Sequence, residues 1–265
     1  MRHSLERVTG TEKILAPSFK NSLEIRFSAL AACIFVVLAS VSAQAADDIA
    51  GVSIGSSLEE AKAAISKANP NYQLSPLMLT NGKEAGVTAV TGDRLAGTGI
   101  MNSGGATDEF VALQTDAGKI WFVARVQRFD EGGRIGVEAF QDALTEKFGS
   151  PSPSVNLMGL SMSWQYDRSG KQWSGSGAEP CQLQYGSYHI PGVTVSAPQS
   201  FSQNCGKVVS VQASTQPDGM VPQYSITITD AKSMFDELAA RDAKAEAERK
   251  QSLSDEKAKS VKPNI

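Results

Sequence analysis

Two stretches of the chain repeat apolar residues at helical spacing. After Ile49-Ala50-Gly51-Val52-Ser53-Ile54-Gly55, a short strand-like piece, the residues Leu58, Ala61, Ile65 and Ala68 form one apolar stripe, while Lys62, Ser66 and Lys67 face elsewhere. Ser56 has Glu59 three residues on and Ser57 has Glu60, so either serine can cap this helix reciprocally, and Asn69-Pro70 ends it. The second stripe, Val137, Phe140, Leu144 and Phe148, predicts a helix over 135–148, with Gly149 placed to close it and Pro151 to bar continuation. Leu58, Ala61 and Ile65 stand 79 residues before Val137, Phe140 and Leu144, which suggests two helix-then-sheet units in tandem.

Between and after these stripes the pattern is extended. Strands are expected at 72–80, 86–91, 109–114 and 119–129, the last two joined as a hairpin through Thr115-Asp116-Ala117-Gly118. In 119–129, Ile120, Phe122, Ala124 and Val126 share a core face, and Trp121, Val123, Arg125 and Gln127 share a mixed one. Further strands are expected at 160–166, 182–190, 193–196, 207–213 and 224–229, with 171–173 returning after the turn Asp167-Arg168-Ser169-Gly170. The last of these sets Tyr224, Ile226 and Ile228 against Ser225, Thr227 and Thr229; one wet face of this kind points to an antiparallel sheet. The fold class is therefore α+β: antiparallel sheet or sheets packed by helices, with one unit at 46–130 and a second at 131–240.

Ala231, Met234, Phe235, Leu238 and Ala239 then form a docking stripe. Beyond it, residues 241–262 carry seven basic and five acidic side chains, so 241–265 is expected to be a charged, solvated tail that frays.

One apolar block breaks the amphipathic pattern. Residues 27–41 are almost wholly apolar, follow Lys20 and Arg26, and lead to Ala43-Gln44-Ala45, which is the arrangement of a secretory signal cut between Ala45 and Ala46. The block is shorter than the roughly 20 residues a membrane-crossing helix needs, and no transmembrane segment is expected in the mature chain. The long stretch before it suggests that translation starts downstream of Met1. Leu30-Ala31-Ala32-Cys33 has the form of a lipoprotein box, but the greasiest residues, 34–38, follow Cys33 where a lipoprotein turns polar, so no lipid anchor is expected there. Export to the periplasm or the exterior is the predicted location.

Composition narrows the chemistry. The 265 residues carry a net charge of -3, with 41% hydrophobic and 20% charged side chains, enough apolar material for a core. Removing the leader takes five basic and three acidic residues, leaving 20 against 25 and a net charge of -5, which argues against nucleic acid or a polybasic grip on anionic lipid as partner. The exported chain keeps two cysteines, Cys181 and Cys205, which are expected to pair in an oxidising compartment. It keeps one histidine, His189, so a His-rich zinc site cannot be assembled, and no Gly-x-Ser-x-Gly elbow accompanies it. The glycine-rich stretch at 96–105 lacks the Gly-Lys-Ser/Thr ending of a phosphate loop and reads as a surface loop. Asp47-Asp48, Glu59-Glu60 and Asp130-Glu131 occupy a chain start, a first helical turn and a turn, none an acid–base pair. No cofactor, metal or catalytic residue is assigned. Trp121, Trp164, Tyr166, Trp173, Tyr185 and Tyr188 lie in or beside predicted strands; core packing is the commoner fate of such rings, and an exposed, contiguous set would instead mark an interface, with Trp121, Trp164, Tyr166 and Trp173 as its candidates.

The opening 49–60 resembles that of many uncharacterised exported bacterial proteins, and Leu144-Thr145-Glu146-Lys147-Phe148-Gly149-Ser150-Pro151-Ser152, with the Trp164 strand and the later cysteines, is similar to their second half. More distantly, the order of glycine, capped helix and sheet resembles the small domains of β-lactamase-inhibitor protein and of the SmpA/OmlA outer-membrane assembly lipoproteins. That resemblance implies a protein that works by binding another protein or an envelope component rather than by catalysis. The competing expectation is an envelope-directed hydrolase, which converging carboxylates in a deep pocket, or a serine beside His189, would favour.

Overall fold

The computed structural model describes residues 46–97, 104–153, 159–186 and 189–260. The leader with Cys33 and Ala45, most of the glycine-rich stretch, and Tyr188 lie outside them.

The capping box forms on the second serine. Ser57 caps α1 (Leu58–Ala68): its hydroxyl accepts from the Glu60 amide, and the Glu60 carboxylate accepts from the Ser57 amide at 2.8 Å. The second helix, α2 (Val137–Phe148), starts two residues later than the periodicity predicts, because Ile135–Gly136 pairs as a short strand with Met220–Val221. At its far end Gly149 has φ +78°, a conformation glycine adopts without strain.

Seven strands make the main sheet: β1 (Gln73–Met78), β2 (Glu84–Val90), β3 (Asp108–Gln114), β4 (Ile120–Arg128), β5 (Leu160–Asp167), β6 (Cys205–Ser214) and β7 (Gln223–Asp230). Their order across the sheet is β1-β2-β3-β4-β7-β6-β5, antiparallel throughout. The helix-plus-meander units read from the sequence are thus two halves of one sheet, joined where β4 pairs with β7. Both helices lie on the same, front face. Leu58, Ala61 and Ile65 of α1 and Phe140, Leu144 and Phe148 of α2 are buried in one core with Phe110, Val123, Trp164, Val209, Val211, Ile226 and Ile228. Trp164 is fully buried, and its indole N–H donates to the Gly149 carbonyl at 2.8 Å, tying the end of α2 to β5.

The back face is covered only in part. Over β3 and β4, the residues Val111, Phe122, Ala124 and Val126 are buried beneath Val193 and Val195, with Ile190, Ala197, Phe201 and Met234 packed alongside. The helix α3 (Ala231–Lys259) buries Ala231 and rests Met234 and Phe235 on this side, and from Leu238 to its end it is almost entirely exposed. Its charged part is helical through Lys259, supported by Arg249 to Glu246 at 2.9 Å and by the Lys232 to Asp236 pair. None of the helices among the described residues is long and apolar enough to cross a membrane.

Three expectations about strands change. The register of β3 and β4 shifts at Leu113/Gln114, so Ile120 joins the front core and Trp121 the back one, opposite to strict alternation. Of the strand expected at 182–190, Leu183–Tyr185 is the part that forms among the described residues, pairing with Pro198–Phe201, which the sequence did not suggest. Residues 193–196 form no strand; Val193 and Val195 alternate because a loop docks sideways by those two side chains.

Candidate functional site

On β5, β6 and β7 the front-facing residues are mostly large and apolar, and the residues between them, Val208 apart, are polar. Register aligns these into two rows across the back face: Ser161 opposite Gln212 opposite Ser225, and Ser163 opposite Ser210 opposite Thr227. Neighbouring strands lie about 4.8 Å apart and same-face residues about 6.7 Å apart along a strand, so the rows form a grid at those spacings. The hydroxyls of Ser163, Ser210 and Ser225 and the carboxamide of Gln212 make no hydrogen bond to another described residue, and Gln212 is exposed.

Two walls make this floor a trough. On the β5 side stand Trp173, Glu179 and Leu183, and the hollow there measures about 570 Å³. On the β4 side stand Thr194, Val195 and Ser196, over a hollow of about 350 Å³. Tyr185, Ser210 and Gln212 line both, so the two adjoin. Volumes of this size accommodate small-molecule or oligomer ligands.

Each wall is fixed by a buried device. The β5-side wall hangs from the Cys181–Cys205 disulfide, whose Cα atoms are 4.5 Å apart and whose residues are both buried. The amide of Gln182 donates to Ser202 Oγ at 3.1 Å, and Phe201 packs edge-on against Trp121 and Phe235. From this anchor Leu183–Tyr185 carries Tyr185 over the grid, the residue being 49% exposed. Burial raises the Tyr185 phenol above its ordinary value, with a hydrogen bond to Thr227 acting the other way.

The β4-side wall is pinned by charge. Glu109 and Arg128, with side chains 3% and 2% exposed, form an ion pair at 2.7 Å beneath the loop. The other carboxylate oxygen of Glu109 accepts from the Thr194 amide at 2.7 Å and from its hydroxyl at 2.8 Å, and Arg128 Nη2 donates to that hydroxyl at 2.8 Å. Both charges are thereby paired inside the protein, and the loop gains a fixed seat. Gly105 permits the approach: a Cβ there would lie 2.6 Å from Glu109 Oε1.

A second polar cluster lies on the front face. Arg125 donates to both oxygens of Asp108, at 3.0 and 2.6 Å; Gln127 also donates to Asp108, and Tyr224 donates to Gln127. Burial, then the neighbouring Asp108, raises the Tyr72 phenol. Arg125, Asp108, Gln127 and Tyr224 satisfy one another, as members of a structural network do, while the buried Tyr72 hydroxyl beside them makes no hydrogen bond to another described residue.

The residues singled out in the sequence separate as follows. Trp121 and Trp164 are buried in the back and front cores, which corrects their candidacy as interface rings, and Tyr166 packs on the front core with Lys207 Nζ 4.6 Å from its ring centre. Trp173 alone of the four reaches the trough, beside Tyr185. His189 is exposed, with Nδ1 3.2 Å from the Ser196 hydroxyl on the trough's rim. No carboxylate lines that half of the trough. Among the described residues no three His, Cys, Asp or Glu side chains come together to hold a metal ion. The serine and glutamine rows were missed, although the wet face of Ser225 and Thr227 was their visible third. Comparison with known proteins finds no match among family models, curated proteins or solved structures.

Proposed function

We propose that this chain is an exported, non-enzymatic binding protein of the bacterial envelope, and that the trough behind β5, β6 and β7 is its working surface. One observation carries the reading: a grid of small neutral polar side chains lies open behind β5, β6 and β7, where the back of β3 and β4 is packed, between walls held by a disulfide and a buried ion pair. Pre-set walls spare a ligand the cost of ordering its site. The disulfide fits an oxidising compartment.

The test is co-sedimentation with isolated cell envelope. Ser210→Arg places a long cation in the middle of the floor; it should abolish co-sedimentation at an unchanged unfolding temperature, and Tyr185→Ala, which removes a half-exposed side chain and its hydrogen bond to Thr227, should weaken it. Retained co-sedimentation by both variants overturns the assignment of the surface.

A hydrolase remains the second reading because the Ser196 hydroxyl does stand beside His189. Nucleophilic catalysis further needs a group that orients the imidazole and donors for an oxyanion. No other described residue hydrogen-bonds the exposed His189 ring. Treatment with a fluorophosphonate should leave Ser196 unlabelled; stoichiometric labelling, lost in His189→Ala, would install the hydrolase instead.

A further inference from the structure

We infer that the ligand of the trough is a neutral polyhydroxylated chain, a glycan strand, an inference that rests on the trough being the working surface. Charge is the first argument. Among the described residues lining the two hollows there is no lysine, arginine or histidine, and the one carboxylate, Glu179, already accepts a hydrogen bond from the Gln165 carboxamide. Anionic polymers, phosphates and acidic headgroups are gripped by cations, and basic peptides by carboxylates. The trough offers no cation, and its one carboxylate, Glu179, stands on the β5-side wall rather than on the floor.

Hydrogen-bonding character is the second. Serine and threonine hydroxyls and the glutamine carboxamide each donate and accept. A sugar hydroxyl does the same, so Ser163, Ser210, Gln212 and Ser225, which bond no other described residue through their side chains, can meet a row of sugar hydroxyls in either sense. The third argument excludes an extended peptide. Strand addition needs a sheet edge with unused main-chain groups. The floor is centred on β6, which is paired on both sides, with β5 and with β7. A peptide crossing it would leave its own amides to side chains only.

The walls supply the remaining chemistry. The C–H faces of a pyranose are apolar, and Tyr185 and Trp173 offer ring carbons on one side of the floor. The length of the trough, from Trp173 at one end to Thr194 at the other, favours an oligomer over a single sugar.

Trp121 and Trp164 are buried, at 8% and 0% exposure, so Trp173 is the indole within reach of a ligand. The full exported chain is therefore titrated with chitotetraose, maltohexaose and oligogalacturonate, following tryptophan emission and, independently, heat. The expected result is saturable binding of at least one neutral oligosaccharide, equally strong at low and high salt and stronger than for the charged one. Ser210→Arg should weaken it about tenfold or more, and Tyr185→Ala by a smaller factor. Absence of saturable binding to both neutral oligomers, or preference for the charged one, overturns the glycan assignment. If envelope co-sedimentation then still depends on Ser210, and is lost when the envelope is treated with protease, the surface is right and its ligand is a protein. If co-sedimentation ignores Ser210→Arg, the surface itself is wrong.

Discussion

The back of the sheet is built twice, in opposite ways. Behind β3 and β4 the strand residues are Val111, Phe122, Ala124 and Val126, and a loop and the start of α3 cover them. Behind β5, β6 and β7 the equivalent positions are Ser161, Ser163, Ser210, Gln212, Ser225 and Thr227, and among the described residues no apolar layer is packed on these rows, although Tyr185 reaches over them. The front faces of the same strands do not differ in this way, since both contribute to one apolar core. An uncovered apolar patch would invite aggregation, so a sheet that leaves one half bare must make that half polar. Polarity alone is no sign of function. What separates this region from an ordinary wet face is its walls, which a disulfide and a doubly seated ion pair hold around the floor.

Breaking the covered half should cost most. Glu109→Ala leaves Arg128 buried without its carboxylate and frees Thr194, and should destabilise the protein by about 3–5 kcal/mol in denaturant unfolding. A loss below about 1 kcal/mol would mean that the pin is not seated as described. Replacing Cys181 and Cys205 by alanine opens a loop of 24 residues' separation and should cost about 3.5 kcal/mol on the chain-entropy estimate, with Tyr185 becoming freely accessible to modification. The uncovered half should tolerate far more. Ser210→Val should change stability by no more than about 0.5 kcal/mol, because it fills no packed space and breaks no internal hydrogen bond. A large loss there would place Ser210 in the covered class.

A further small effect concerns neither half but the short antiparallel pair of Asp48–Ile49 with Val52–Ser53. Burial works against the Asp48 carboxylate, yet the Lys147 ammonium and the Gly51 amide, each at 2.9 Å, outweigh it and hold Asp48 below the ordinary aspartate value. A lowered folded-state value stabilises above the unfolded one, near pH 4, and the contribution disappears as pH falls through the folded value. The pair is partly exposed, so Asp48→Asn should remove well under about 1 kcal/mol at neutral pH and flatten the acid limb of the stability profile.

Local signals were readable and long-range alignment was not. The capping box of Ser57 and Glu60 spans three residues, and the α2 stripe twelve, so both stand in the sequence as they do in the fold. The cysteine pair was legible from the even count left after the expected leader. The trough required knowing that Ser163, Ser210 and Thr227 share a row, which depends on the pairing of strands far apart in the chain. Trp121 was assigned to the wrong side of β4 because alternation counts residues, and the irregularity at Leu113/Gln114 displaces the count. Val193 and Val195 imitated a strand because burying every second side chain is also how a loop docks. The ion pair of Glu109 and Arg128 had no sequence signal at all, since its partners sit 19 residues apart on neighbouring strands.

Glutamine side chains report on both faces, which allows a direct test. Gln212 and Gln223 line the trough, whereas Gln127 is bonded to Asp108 and Tyr224 on the front. With the side-chain carboxamide resonances assigned, addition of a neutral oligosaccharide should shift Gln212 and Gln223 in a saturable way and leave Gln127 in place. Shifts confined to Gln127, or none at any ligand concentration, would contradict the assignment of this surface and its ligand.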